Sequence, residues 1–298
     1  MREVKFLVMS VGPADKNGTC RYLERIGGTK NIIVVLPNQY KGHAKSYRDK
    51  GMQVFIYDEQ KYINEDFEFF GFKPRNCGGV GRQGVAEAVD KFDDGKTLLC
   101  QLDDDTTGIR VATKSDANPC GWESKTICHI DSLIRLMNAF HDFYVKTGIK
   151  VQAKTGATTV GRKDVLVANH KVFNNFLMYK TDRWRGEGFR SLCSDDVRYN
   201  FYKSVCDCTP LISIHAASIS FTQSQGDRSD GNAPIYNRDC SWKKSFSLRM
   251  IMPLVSNQYI ANETNRILFR ETLDYKKINP PIFLSDADGK ITGYLSMK

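Results

Sequence analysis

Three aspartates stand in a row at Asp103, Asp104 and Asp105. Adjacent carboxylates repel one another unless a cation lies among them. Oxygen donors of this kind suit Mg2+ or Mn2+, ions that keep several waters and bridge to substrate phosphates. In an extended segment, residues two apart point to one side. Asp103 and Asp105 are therefore expected to share an ion while Asp104 faces elsewhere. An acidic turn in solvent is the plain alternative. The metal reading gains from the apolar run that precedes the triplet, Thr97 to Leu102, because a buried strand ending in carboxylates aims them into a crevice.

Upstream lies Arg75-Asn76-Cys77-Gly78-Gly79-Val80-Gly81-Arg82. Its glycines permit close backbone approach, and a helix starting there would turn its N-terminus toward an anion. Taken alone, such a stretch is a common loop.

The charge distribution adds a second chemistry. The 298-residue chain carries a net charge of +9, with 41% hydrophobic and 26% charged residues. Met1 to Asp105 is balanced, so the whole excess falls after Thr106. It is densest over Lys150 to Lys203, where Phe173, Phe176, Tyr179, Trp184, Phe189, Tyr199, Phe201 and Tyr202 are interleaved with lysines and arginines. Basic groups neutralise phosphates, and flat rings stack on exposed bases. A solvated basic face over core aromatics is the competing reading.

The composition excludes low-complexity disorder, a collagen repeat and a small disulfide scaffold. No apolar run reaches the roughly 18 residues of a membrane helix. Val4 to Val11, broken by Lys5, reads as a strand and not as a signal peptide. Nine cysteines without a C-x-x-C pair suit a reducing cytoplasm. A zinc site on Cys193, Cys206 and Cys208 is the minor alternative to buried small hydrophobes.

The elements that must position these residues alternate. Val4–Met9, Asn31–Leu36, Gln53–Tyr57 and Thr97–Leu102 read as strands. Thr19–Ile26, Lys41–Lys50 and Gly84–Phe92 read as helices between them. Continuous apolar strands separated by helices indicate a parallel sheet covered on both faces. Such sheets bind ligands beyond the carboxyl ends of their strands. Ser10, Asp58 and Asp103 all sit at such ends and are expected to converge on one crevice.

This order of parts resembles the GT-A glycosyltransferases: a neutral α/β unit, a Gly/Arg-rich helix start, and an apolar strand running into Asp-x-Asp. The resemblance covers about Val4 to Thr222. It implies a Rossmann-like mixed sheet with flanking helices, and a divalent ion held against the diphosphate of a nucleotide-sugar. Residues 1–105 would form the nucleotide-binding half, 106–222 the acceptor half, and 223–298 an unassigned C-terminal extension, where Arg228 and Lys243-Lys244 are candidate phosphate contacts. Arg82 matches the basic residue the family often carries ahead of the Asp-x-Asp strand. In Ser194-Asp195-Asp196 the acidic pair resembles that beneath the acceptor hydroxyl, with Asp196 as general base and Asp195 in reserve. The same residues would also serve as a helix cap and first-turn acids. His215 is implied as a late metal ligand, although a lone histidine in an apolar strand is commonly a core residue. Glu187, in Gly186-Glu187-Gly188-Phe189, is implied to meet the donor sugar.

The resemblance thus implies metal contacts from Asp103, Asp105 and His215. It implies nucleotide-sugar contacts from Ser10, Asp58, Arg75, Arg82, Asp103, Asp104 and Glu187. More narrowly, the chain is similar to the TET-associated glycosyltransferases of phages and the base J glucosyltransferases of kinetoplastids, which act on hydroxymethylated pyrimidines in DNA. The implied activity is transfer of a sugar from a UDP-sugar to a hydroxymethylpyrimidine in DNA, with Mn2+ or Mg2+ and no membrane partner. A glycan, lipid or protein acceptor, a sugar-phosphate nucleotidyltransferase and a non-catalytic DNA-binding module are the other readings. The nucleotidyltransferase signature is not matched by Ser10-Val11-Gly12-Pro13-Ala14-Asp15.

Overall fold

The computed structural model describes residues 1–63, 78–117, 121–147, 150–155, 168–169, 211–221, 246, 249, 256–263, 266–273, 282–285 and 291–295. The chain folds as an α/β protein around two sheets. The first holds β1 (Val4–Met9), β2 (Ile32–Pro37), β3 (Gln53–Tyr57) and β4 (Leu98–Leu102), all parallel, in the order β3-β2-β1-β4. Every residue of β2 and of β4 is buried, as expected of strands covered on both faces.

Two helical layers do the covering. Helix α1 (Gly18–Arg25) lies on one side with α2 (Ala44–Arg48) and buries Cys20, Tyr22, Leu23 and Tyr47 against Phe6, Val34, Cys100 and Leu102. The short α3 (Glu59–Ile63) leads onward from β3, and α4 (Gly78–Phe92) packs Val80, Val85 and Val89 against Leu7, Ile33 and Leu99 on the opposite side. The expected helix start at Gly84 is therefore moved six residues earlier. Glycines at 78, 79, 81 and 84 are poor helix formers, but the sheet leaves no room for larger residues at two of them. A Cβ on Gly84 would lie 2.4 Å from the Tyr57 ring, and one on Gly81 would lie 3.0 Å from Met9 Sδ. Close packing outweighs propensity here.

The second sheet begins directly after the first. β5 (Thr106–Lys114) pairs antiparallel with β6 (Trp122–Thr126). After α5 (Ile130–Thr147) come β7 (Lys150–Thr155), β8 (Ala168–Asn169) and β9 (Leu211–Phe221), giving the order β6-β5-β9-β7 with β8 beside β9. One apolar core runs from Val4, Phe6 and Leu102 through Ile109 and Ile127 to Leu133, Met137, Ala153 and Ile219. Two antiparallel hairpins follow, β10 (Ser256–Glu263) with β11 (Arg266–Leu273) and β12 (Ile282–Ser285) with β13 (Ile291–Leu295). Among the described residues, no helix is long and apolar enough to cross a membrane.

Candidate functional site

In the order β3-β2-β1-β4, the chain moves to one side of β1 and later returns to the other. The crevice beyond β1 and β4 is therefore the switch point where open parallel sheets bind ligands. Two loops border it: residues 10–17 after β1, and the acidic triplet after β4.

The first loop is tied inward. Ser10 is 4% exposed. Its amide donates to Val35 O at 3.1 Å, and its hydroxyl lies 2.8 Å from the Tyr47 hydroxyl. Tyr47 donates to Gly12 O at 2.8 Å, and Ala14 N donates to Ser46 Oγ at 3.1 Å. Burial pushes the Tyr47 phenol well above its ordinary range, so it stays a neutral donor. Ser10 thus stands at the expected strand end, but its hydroxyl is engaged in the loop's own bonding.

The second loop is held by its backbone. Asp104 and Asp105 form a turn between β4 and β5, and all three acids are half-buried. The turn replaces the extended geometry expected for the triplet, so the two-residue alternation that would pair Asp103 with Asp105 does not apply. The first turn of α1 grips this turn. Asn17 caps the helix by accepting from Cys20 N at 2.8 Å. Thr19 N donates to Asp104 O at 3.2 Å, Thr19 Oγ1 donates to Asp103 O, and Thr106 N donates to Thr19 Oγ1 at 2.9 Å. Gly18 lies against the same backbone, where a Cβ would be 3.4 Å from Asp104 O. Burial first, and then the Asp104 carboxylate, drive the Cys20 thiol far above its normal range.

Arg82 reaches the triplet from α4. Its Nη1 lies 3.4 Å from Asp103 Oδ1, with side-chain exposures of 6% and 23%. At that distance the contact is an ion pair and not a short charge-assisted hydrogen bond. Gln101 sits two residues before Asp103 on the same side of β4. It is fully buried, with Nε2 3.6 Å from Met9 Sδ and no hydrogen-bond partner for Oε1 among the described residues. A guanidinium and the first carboxylate of the triplet therefore meet near a buried amide at the switch point.

Other expected residues stand elsewhere. Asp58 is exposed at the end of β3 and accepts from Gln60 N at 3.1 Å, opening α3. β3 is three strand spacings from β4, roughly 15 Å away, so Asp58 does not join Asp103. Its neighbour Glu59, 3% exposed, is the acid wired into the structure, accepting from Asn38 N at 2.7 Å and Gln39 N at 3.1 Å beyond β2. The β5–β9 ladder pairs Thr106 with Phe221. His215 lies six residues back along β9, roughly 20 Å of strand, so these strands do not bring it to the acidic turn. Among the described residues no group of three or more His, Cys, Asp and Glu side chains is placed to hold a metal ion. Arg75, Glu187, Asp195, Asp196, Arg228, Lys243, Lys244 and most of Lys150–Lys203 lie outside the described residues.

No protein-family model and no curated protein matches the chain. Among solved structures, it is similar to glucosyl-3-phosphoglycerate synthase from Mycobacterium tuberculosis in complex with Mn2+, UDP and glucosyl-3-phosphoglycerate. The identity is 7%, with 91% of this chain and 87% of that one covered and a TM-score of 0.41. The same synthase with Mg2+ and UDP gives the same identity, coverage and TM-score. A mycobacterial protein gives 8%, 91%, 84% and 0.40. At these values the likeness places no residue of this chain and assigns it no ligand.

Proposed function

We propose that the chain is a metal-dependent glycosyltransferase that moves a sugar from a UDP-sugar to the hydroxymethyl group of a modified pyrimidine in DNA. The observation that carries this reading is the Arg82–Asp103 pair in an acidic turn at the switch point. A parallel-sheet crevice of this kind accommodates a nucleotide. The acids of the turn are hard oxygen donors that suit Mn2+ or Mg2+ once substrate oxygens complete the shell. Asp103 and Asp105 would hold the ion, which supplies positive charge to a diphosphate leaving group.

The chain's own residues supply the rest. Arg82, held in place by α4, offers a fixed cation to the charge that grows on the diphosphate as the anomeric C–O bond breaks. Asp104, Arg75 and Glu187 remain candidates for the nucleotide-sugar. Asp196, backed by Asp195, takes the acceptor hydroxyl's proton as that oxygen attacks, which inverts the anomeric centre. A target base in duplex DNA must leave the stack first, at a cost of a few kcal/mol. The basic and aromatic residues of Lys150–Lys203 are suited to offset that cost. The division into 1–105, 106–222 and 223–298 assigns the nucleotide to the first part and the acceptor to the second.

Nucleoside mass spectrometry tests the reading. The protein is incubated with Mn2+, UDP-glucose, UDP-N-acetylglucosamine and duplex DNA carrying 5-hydroxymethylcytosine or 5-hydroxymethyluracil. A hexose or N-acetylhexosamine mass on the base is the expected result. UDP release without that mass would move the acceptor to a glycan or protein. No UDP release would remove the transferase reading.

A further inference from the structure

We infer that Thr19 is a positioning residue for the acidic turn, fixing the backbone from which Asp103, Asp104 and Asp105 project. The inference rests on reading that turn as the nucleotide-sugar site. Thr19 is fully buried in the first turn of α1. Its hydroxyl donates to Asp103 O at the start of the triplet and accepts from Thr106 N just past its end. Its amide donates to Asp104 O in the middle, at 3.2 Å. One residue therefore spans the turn from both sides.

Only a hydroxyl can do this. It must donate and accept at once, in a space too small for an amide or carboxylate, and serine and threonine alone have that chemistry at that size. The helix comes close here: a Cβ on Gly18 would lie 3.4 Å from Asp104 O. Losing the hydroxyl strands a buried carbonyl and a buried amide. The turn then relaxes, and with it the spacing of the carboxylates.

The test compares wild type, Thr19→Ser and Thr19→Val by titration with UDP in the presence of Mn2+, well below each thermal midpoint. Val keeps the shape and loses the hydroxyl. Ser keeps the hydroxyl and loses the methyl. Thr19→Ser should bind within about twofold of wild type, and Thr19→Val about tenfold more weakly, the scale of one good hydrogen bond. If Thr19→Val does not fold, Thr19→Cys, with its weakly bonding thiol, stands in for it and should also lose affinity. A residue that only supports folding would lower the midpoint and leave affinity unchanged. Equal affinity for wild type and Thr19→Val overturns the inference and leaves the site reading intact. Serine binding as weakly as valine also overturns it. Wild type taking up no UDP overturns the site reading and the inference together.

Discussion

The loops beyond β1 and β4 leave neighbouring parallel strands, and each is held by a helix of the same layer. The β1 loop turns its polar groups inward. Ser10, Gly12 O and Tyr47 satisfy one another in a buried knot. The β4 turn is held to α1 through its backbone by Thr19, and its three acids are half-buried, with Asp103 paired to Arg82. Equivalent positions at strand ends thus separate into a buried knot and a half-buried acidic edge, the edge proposed to meet the ligand. What separates them is burial: Ser10 is 4% exposed, whereas the three acids are half-buried. A side chain engaged in its own loop is unavailable to a ligand.

The sharpest way to break this comparison is to swap the expected roles. Arg82→Met should lower sugar transfer or UDP release by about 10²-fold, the scale for a fixed charge-stabilising donor. Circular dichroism should show the fold retained. Activity within threefold of wild type would put Arg82 on the scaffold side.

Tyr47→Phe should do the opposite. Removing a buried hydroxyl that serves Ser10 and Gly12 O costs about 1–3 kcal/mol, read as a lower urea midpoint. UDP affinity should change little, since Thr19 and not Tyr47 holds the backbone of the turn. A stable variant that had lost nucleotide binding would place the β1 loop at the reactive edge.

Packing offers a finer contrast. Gly84→Ala pushes a Cβ into the Tyr57 ring and should cost about 1–2 kcal/mol net of the usual helix gain from alanine. Gly12→Ala meets nothing within 4 Å and should stay within about 0.5 kcal/mol of wild type. Thermal melts of the pair check both.

The smallest effect lies at the entry to β4. Asp94 accepts from Thr97 N at 2.6 Å and Lys96 N at 2.8 Å, and these bonds hold its carboxyl down at about 2, below the ordinary 3.8. A depressed folded value means the contribution is complete above the unfolded value and lost as pH falls through about 2. Asp94→Asn should therefore lower stability at neutral pH, converge with wild type below about pH 2, and so flatten the acid limb between about pH 4 and 2. An unaltered limb would show that these bonds carry no linkage.

Much of this scaffold was legible from residue order. The apolar runs around Ile33 and Leu99 announced buried parallel strands, and their ends announced the crevice. The triplet stood at such an end as expected. Its internal geometry was not legible, because alternation holds only in extended chain and Asp104–Asp105 turn. The start of α4 was hidden because Gly81 and Gly84 are chosen for contact with Met9 and Tyr57, which no local propensity encodes. Asp58 and Glu59 are adjacent acids with identical sequence credentials, and only the fold tells which one is buried. Thr19 read as an ordinary helix residue, since its partners are more than 80 positions away. His215 was ranked by chain order, whereas the register of β9 sets its distance from the turn.

In the proposed site the β4–β5 turn, with Arg82, holds the diphosphate of a nucleotide-sugar. Calorimetric titration of UDP into wild type and Asp103→Asn, with and without Mn2+, tests it directly. The account predicts saturable binding by wild type that strengthens with Mn2+, and loss of that metal-dependent gain in Asp103→Asn. Equal, metal-independent binding by both proteins, or no binding by the wild type, would contradict it.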